Sequence, residues 1–219
     1  MDLFQYQDLK YKEFNDKIQN QSVYPTIGIR IPILRKIARE VSKNDYLDYI
    51  NNRHTYWEEY LIHGLIIGYI KIPFKDKLIL LDNFIPYIYD WALVDTTVSN
   101  LKDFKNNQSD GYKYILKLIN GNTFSIRFGL VLLLDYYIND EYIDKIFDIV
   151  LNIKNDDYYV MMAKAWLLSY TYMKYKEKTI VILKDKRLSR NTVNKTISKV
   201  CDSYRVSTID KEEIKRLRR

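Results

Sequence analysis

All four prolines, Pro25, Pro32, Pro73 and Pro86, fall within the first 86 residues, and the 219-residue chain contains only six glycines. A β-sandwich or barrel reverses direction every few residues and needs turn-forming Gly and Pro to do it, so most of this chain lacks the breakers such folds require. With 47% hydrophobic residues it nevertheless carries enough apolar material for a substantial core. An all-α fold is the economical reading. The length fits a single domain over residues 1–219, either globular or an elongated array.

The residue inventory excludes several chemistries. Cys201 is the single cysteine, so no internal disulfide forms, and His54 and His63 with one thiol do not assemble a Cys/His zinc site. The segment from Met1 to Tyr6 lacks a basic stretch followed by an apolar one, and the run from Phe128 to Leu134 is too short to cross a bilayer. A carboxylate-only metal site stays open at this point, and a soluble cytoplasmic protein is expected. Charge is uneven. Residues 174–219 hold fifteen Lys/Arg against six Asp/Glu, while the rest of the chain holds 20 against 22. Clustered cations supply the sequence-independent part of nucleic-acid affinity, so a polyanionic partner is one reading and solvated helix faces the other.

Helical periodicity runs along most of the chain. Ile33, Leu34, Ile37, Ala38 and Val41 recur at helical spacing after Pro32, on a helix that also carries Arg35, Lys36 and Arg39. Trp57, Tyr60, Leu61, Gly64, Leu65 and Gly68 form one stripe whose glycines permit close helix packing. Lys102 to Asp110 reads as a loop, with a helix from Gly111 to Ile119. Asn120-Gly121-Asn122 then stops that helix and Thr123 starts another, apolar on nearly all sides except at Arg127, whose charge wants a partner. About a dozen helices joined by short connectors suggest stacked helical hairpins.

Within that pattern, Asp90-Trp91-Ala92-Leu93-Val94-Asp95 puts a tryptophan and a carboxylate on one helical face with Val94 and Val98. An unpaired carboxylate on an apolar face is expensive, so Asp95 either has a cationic partner or lines a cleft. Trp57, Trp91, Arg127 and Trp166 are separated by 34, 36 and 39 residues, near the period of HEAT- and armadillo-type arrays. That spacing predicts a curved α-solenoid with the three tryptophans and the arginine along one concave face.

Ile27-Gly28-Ile29-Arg30-Ile31-Pro32-Ile33-Leu34-Arg35, Trp91 to Asp95, Ser125 to Gly129, Ala165-Trp166, and Lys186-Arg187-Leu188 through Ser203-Tyr204-Arg205 occur in this order over nearly the whole chain. In that order and spacing the sequence resembles the HEAT-like-repeat DNA alkylation repair family, the AlkD-type DNA glycosylases and their relatives, and within it the compact branch. The resemblance implies a monomer that binds double-stranded DNA, with no metal or organic cofactor. It implies hydrolysis of the glycosidic bond of cationic N3- or N7-alkylated purines, with Trp91, Asp95, Arg127 and Trp166 as the cleft residues at the lesion. Arg35, Arg187, Arg190, Lys195, Lys199 and Arg205 are the expected DNA-backbone contacts. Ser169 stands where active members often carry a basic residue, one turn beyond the last cleft tryptophan. The second reading is accordingly a HEAT-like module that binds DNA or protein without catalysis.

Overall fold

Side chains that cap orphan N–H groups set about half of the helix starts. Asp45, Asp90, Asn122, Asp157, Ser189 and Ser207 each accept a hydrogen bond from a backbone N–H in the first turn of the helix that follows. In the computed structural model, which describes residues 2–19 and 23–219, this gives thirteen α-helices and no strand among the described residues. The chain is all-α. It divides into two compact units, Met1–Asn107 and Gln108–Arg219.

The first unit holds α1 (Leu9–Gln19), α2 (Ile31–Val41), α3 (Tyr46–Asn51), α4 (Trp57–Tyr69), α5 (Phe74–Phe84) and α6 (Trp91–Val98). Its centre is α4, which packs against α2, α3, α5 and α6 and is buried on nearly every side. The glycines of its apolar stripe let α6 approach closely. A Cβ on Gly64 would run into Thr97 Oγ1 and the Phe84 ring, and one on Gly68 would lie 2.8 Å from Asn100 Cβ. Ahead of α2, Gly28 adopts φ +94°, and the buried Glu58 carboxylate of α4 accepts hydrogen bonds from the N–H groups of Ile27, Gly28 and Ile29 at 2.9, 2.7 and 3.3 Å. One carboxylate thereby satisfies three consecutive donors of a loop that no helix or sheet serves.

The second unit holds α7 (Gln108–Leu118), α8 (Thr123–Tyr136), α9 (Ile143–Asn152), α10 (Tyr158–Lys174), α11 (Lys176–Lys184), α12 (Arg190–Asp202) and α13 (Thr208–Lys215). Here α10 packs between α8 and α12, with α7 against α8. In both units, therefore, alternate helices stack on one another, α2 on α4 on α6 and α8 on α10 on α12. The loop expected over Lys102 to Asp110 is shorter than the sequence suggests. Lys102–Lys105 forms a 3-10 turn, the Asp103 carbonyl accepts from Asn106 N, Asn107 N and Asn107 Nδ2, and α7 begins at Gln108. Polar residues that read as a loop fold back on their own backbone instead.

Trp57 departs from the expected alignment. It is 1% exposed, its indole N–H donates to Asp90 Oδ2 at 2.7 Å, and it faces the interior of the first unit rather than any open surface. The stripe it shares with Leu61 and Leu65 is a core stripe. Its recurrence near the repeat period reflects packing.

Candidate functional site

In the first unit the Trp91–Asp95 turn is built on Asp90. One carboxylate oxygen, Oδ1, accepts from Ala92 N and Leu93 N at 2.8 and 2.9 Å, and the other takes the Trp57 indole N–H. Asp90 is buried, which pushes its pKa up; the three hydrogen bonds oppose this, and the nearby negative charge of Asp95 reinforces it. Val94 and Val98 are fully buried and anchor the shared face, while Trp91 and Asp95 stand half-buried at its margin. Asp90 therefore fixes the start of α6 from inside the core. Its position immediately before a helical tryptophan is an N-cap signature that the sequence already carried.

Arg35 lies beyond the far end of α6. Its Nη1 donates to Asn100 Oδ1 at 2.8 Å, and Asn100 in turn donates to the Thr96 carbonyl at 2.7 Å. This leaves Arg35 half-buried and held to the C-terminal turn of α6. Arg39, one turn along α2, sits over the Tyr69 ring at 5.1 Å. A depression of about 690 Å³ beside it is lined by Arg39, Lys71, Lys102 and Asn100. Lys71 and Lys102 went unnoticed in the sequence, because neither is on a helix with periodic basic neighbours and only folding brings them together.

In the second unit Trp166, Lys199 and Arg205 meet. They line one depression of about 300 Å³ with Tyr170 and Asp202, and Lys199 Nζ lies 5.9 Å from the centre of the Trp166 ring. Ser169 is buried, and its hydroxyl donates back to the Trp166 carbonyl at 2.7 Å. The cation beside Trp166 thus comes from α12 instead of from the next turn of α10. Lys195, one turn before Lys199, is exposed.

The remaining basic residues are engaged elsewhere. Arg127 is 5% exposed, and its Nη1 donates to the Tyr159 carbonyl at 3.1 Å, tying α8 to the start of α10. Arg187 forms a forked pair with Asp185, with Nη2 2.7 Å from Oδ2. Arg190 Nε donates to the main-chain oxygen of Arg219 at 2.6 Å. Neither Arg187 nor Arg190 lines the Trp166 depression.

The description "DNA alkylation repair enzyme" matches residues 5–200 of the chain. The chain belongs to the DNA alkylation repair enzyme family. The matched span contains Trp91, Asp95, Arg127, Trp166 and Lys199, whereas Arg205 and α13 fall outside it. No curated protein and no solved structure matches the sequence. Among the described residues of this family member, no group of three or more His, Cys, Asp or Glu is arranged to hold a metal ion, and no helix is long and apolar enough to cross a membrane.

Proposed function

We propose that this DNA alkylation repair family member hydrolyses the N-glycosidic bond of N3- or N7-alkylated purines in duplex DNA. The observation that carries the reading is the half-buried Trp91–Asp95 turn, held from beneath by the Asp90 carboxylate and the Trp57 indole. A purine alkylated at N3 or N7 already bears a positive charge and departs as a neutral base. As its bond to C1′ breaks, positive charge develops on the sugar and water attacks C1′. Asp95 supplies the negative charge that stabilises this oxocarbenium-like state, orients the water and accepts its proton. The Trp91 face adds a cation–π contact, worth about 2 kcal/mol when desolvated.

Trp166 acquires a different role from the one its resemblance implied. Because Lys199 already lies against its ring, Trp166 seats a protein cation, and that cation with Arg205 meets backbone phosphate. Arg39, Lys71 and Lys102 form a second phosphate-binding patch in the first unit. Affinity for DNA is then steep in salt and indifferent to sequence.

The test is base release from duplex DNA carrying N7-methylguanine or N3-methyladenine, measured alongside binding to unmodified duplex. Released methylpurine with salt-steep binding supports the reading. Salt-steep binding without release leaves the second reading, a DNA-binding module without catalysis, which the absence of a basic residue at Ser169 favours.

A further inference from the structure

A cavity of about 1130 Å³ in the first unit lies apart from the Trp91–Asp95 turn: neither residue lines it. Its walls are unusually rich in tyrosine. Tyr24 stacks on the buried Tyr60 with ring centres 4.0 Å apart and planes 26° from parallel, and Tyr87 lies nearly parallel to Tyr60 at 5.9 Å. Tyr89 meets Tyr24 edge-on at 5.9 Å. Tyr87 and Tyr89 are 50% and 46% exposed, so each offers an accessible aromatic face on which a flat ring can stack. The rings are locked in place, since the Tyr24 hydroxyl donates to the Tyr87 carbonyl at 3.0 Å and the Tyr60 hydroxyl to the His54 carbonyl at 3.2 Å.

Polar groups on the same walls narrow the choice of ligand. Asn83 exposes a side-chain amide with no hydrogen-bond partner among the described residues, and Arg53 exposes a guanidinium with no ion-pair partner among them. At the cavity floor His54 Nε2 and His63 Nδ1 are 3.0 Å apart and hydrogen-bonded, so the floor is closed by a neutral pair. A site of parallel rings, a free amide and a free guanidinium suits a flat heterocycle with hydrogen-bonding edges and an attached anion. It does not suit an aliphatic chain. The volume of about 1130 Å³ is somewhat above the roughly 300–1,000 Å³ typical of small-ligand sites, so a mononucleotide would fit with room to spare.

We propose that this tyrosine-lined cavity binds a nucleotide, its base stacked on Tyr87 and hydrogen-bonded by Asn83 and its phosphate paired with Arg53. The ligand is either a free mononucleotide or an unpaired nucleotide within a DNA strand; the chemistry recognised is the same. The inference does not rest on Asp95 or on base excision. Stacking of one base on an aromatic side chain is commonly worth about tenfold or more in affinity.

Isothermal titration calorimetry of the full chain with dAMP and with a five-nucleotide single strand tests it. Saturable binding of either, weakened at least tenfold by Tyr87→Ala, is the expected result; dAMP binding alone identifies a free nucleotide, and strand binding alone, if Tyr87→Ala weakens it, an unpaired one. Tyr87→Ala keeps the carbonyl that Tyr24 uses, and Arg53→Gln provides a second variant that weakens dAMP but not adenosine. The proposal is overturned if neither ligand binds at millimolar concentration, if Tyr87→Ala binds like the wild type, or if ribose 5-phosphate competes as well as dAMP.

Discussion

The two compact units treat charge in opposite ways. Met1–Asn107 is balanced, with fourteen Lys/Arg and fourteen Asp/Glu, whereas Gln108–Arg219 holds twenty-one against fourteen. The contrast continues indoors. In the first unit buried carboxylates collect N–H donors, Glu58 from the Gly28 loop and Asp90 from Trp57 and the start of α6. In the second, buried cations donate to carbonyls, Arg127 to Tyr159 and Lys164 to Ile153 at 2.6 Å. Lys77 is the exception in the first unit, fully buried and bonded to the Ile70 carbonyl and to Asp103. The difference assigns labour. Under the proposed function, a neutral unit would let Asp95 act as a negative charge beside a developing cation, and a cationic unit would supply phosphate affinity through Lys199 and Arg205.

Tryptophan substitutions break the comparison most sharply. Trp57→Ala removes a fully buried ring and leaves Asp90 short of a donor, so it should cost about 3–5 kcal/mol of stability. Trp166→Ala removes a half-buried ring and should cost less than about 1 kcal/mol while weakening DNA binding. Urea denaturation and a binding isotherm on the two variants report both; equal loss of stability would erase the distinction between a core and a surface tryptophan.

Both histidines belong to the first unit, and burial, followed by the neighbouring His54, pushes the His63 pKa down to about 3. Between that value and the ordinary one near 6.5, the unfolded chain binds a proton that the folded chain refuses. The stability is therefore fully present above about pH 6.5 and is lost as pH falls, by about 2 kcal/mol at pH 5. Melts of wild type and His63→Gln between pH 8 and pH 5 should diverge, with the variant flatter; parallel curves would mean that His63 accepts its proton in the fold.

Smaller effects sharpen the picture. Thr97 is fully buried and its hydroxyl has no hydrogen-bond partner among the described residues, so Thr97→Val should raise stability by about 1 kcal/mol. A loss instead would reveal a partner for that hydroxyl. Lys199→Gln should leave the melt unchanged and lower the slope of log affinity against log salt by about 1. An unchanged slope would remove Lys199 from the DNA interface.

Helix order was legible because capping residues, the early prolines and helical periodicity act locally, and Asp90, Asn122 and Ser189 cap where local chemistry says they should. That Trp91 and Asp95 share one helix, α6, was legible for the same reason. What the sequence hid depends on contacts far apart in the chain. Trp57 recurs at the repeat period yet is core, because α4 is enclosed by four neighbouring helices. Arg187 and Arg190 look like free cations until Asp185 and the Arg219 carbonyl are seen beside them. The tyrosines of the cavity in the first unit span residues 24 to 89 and show no periodicity that would group them.

The central claim concerns the charge on Asp95, and single-turnover base release from N7-methylguanine duplex by Asp95→Asn tests it directly. The variant keeps the shape of the side chain. Removing one preorganised electrostatic stabiliser predicts wild-type melting and wild-type DNA affinity with release slowed by about two to three orders of magnitude. Release at the wild-type rate, or a slowed rate accompanied by a melt lowered by about 3–5 kcal/mol, would make Asp95 a structural carboxylate and contradict the account.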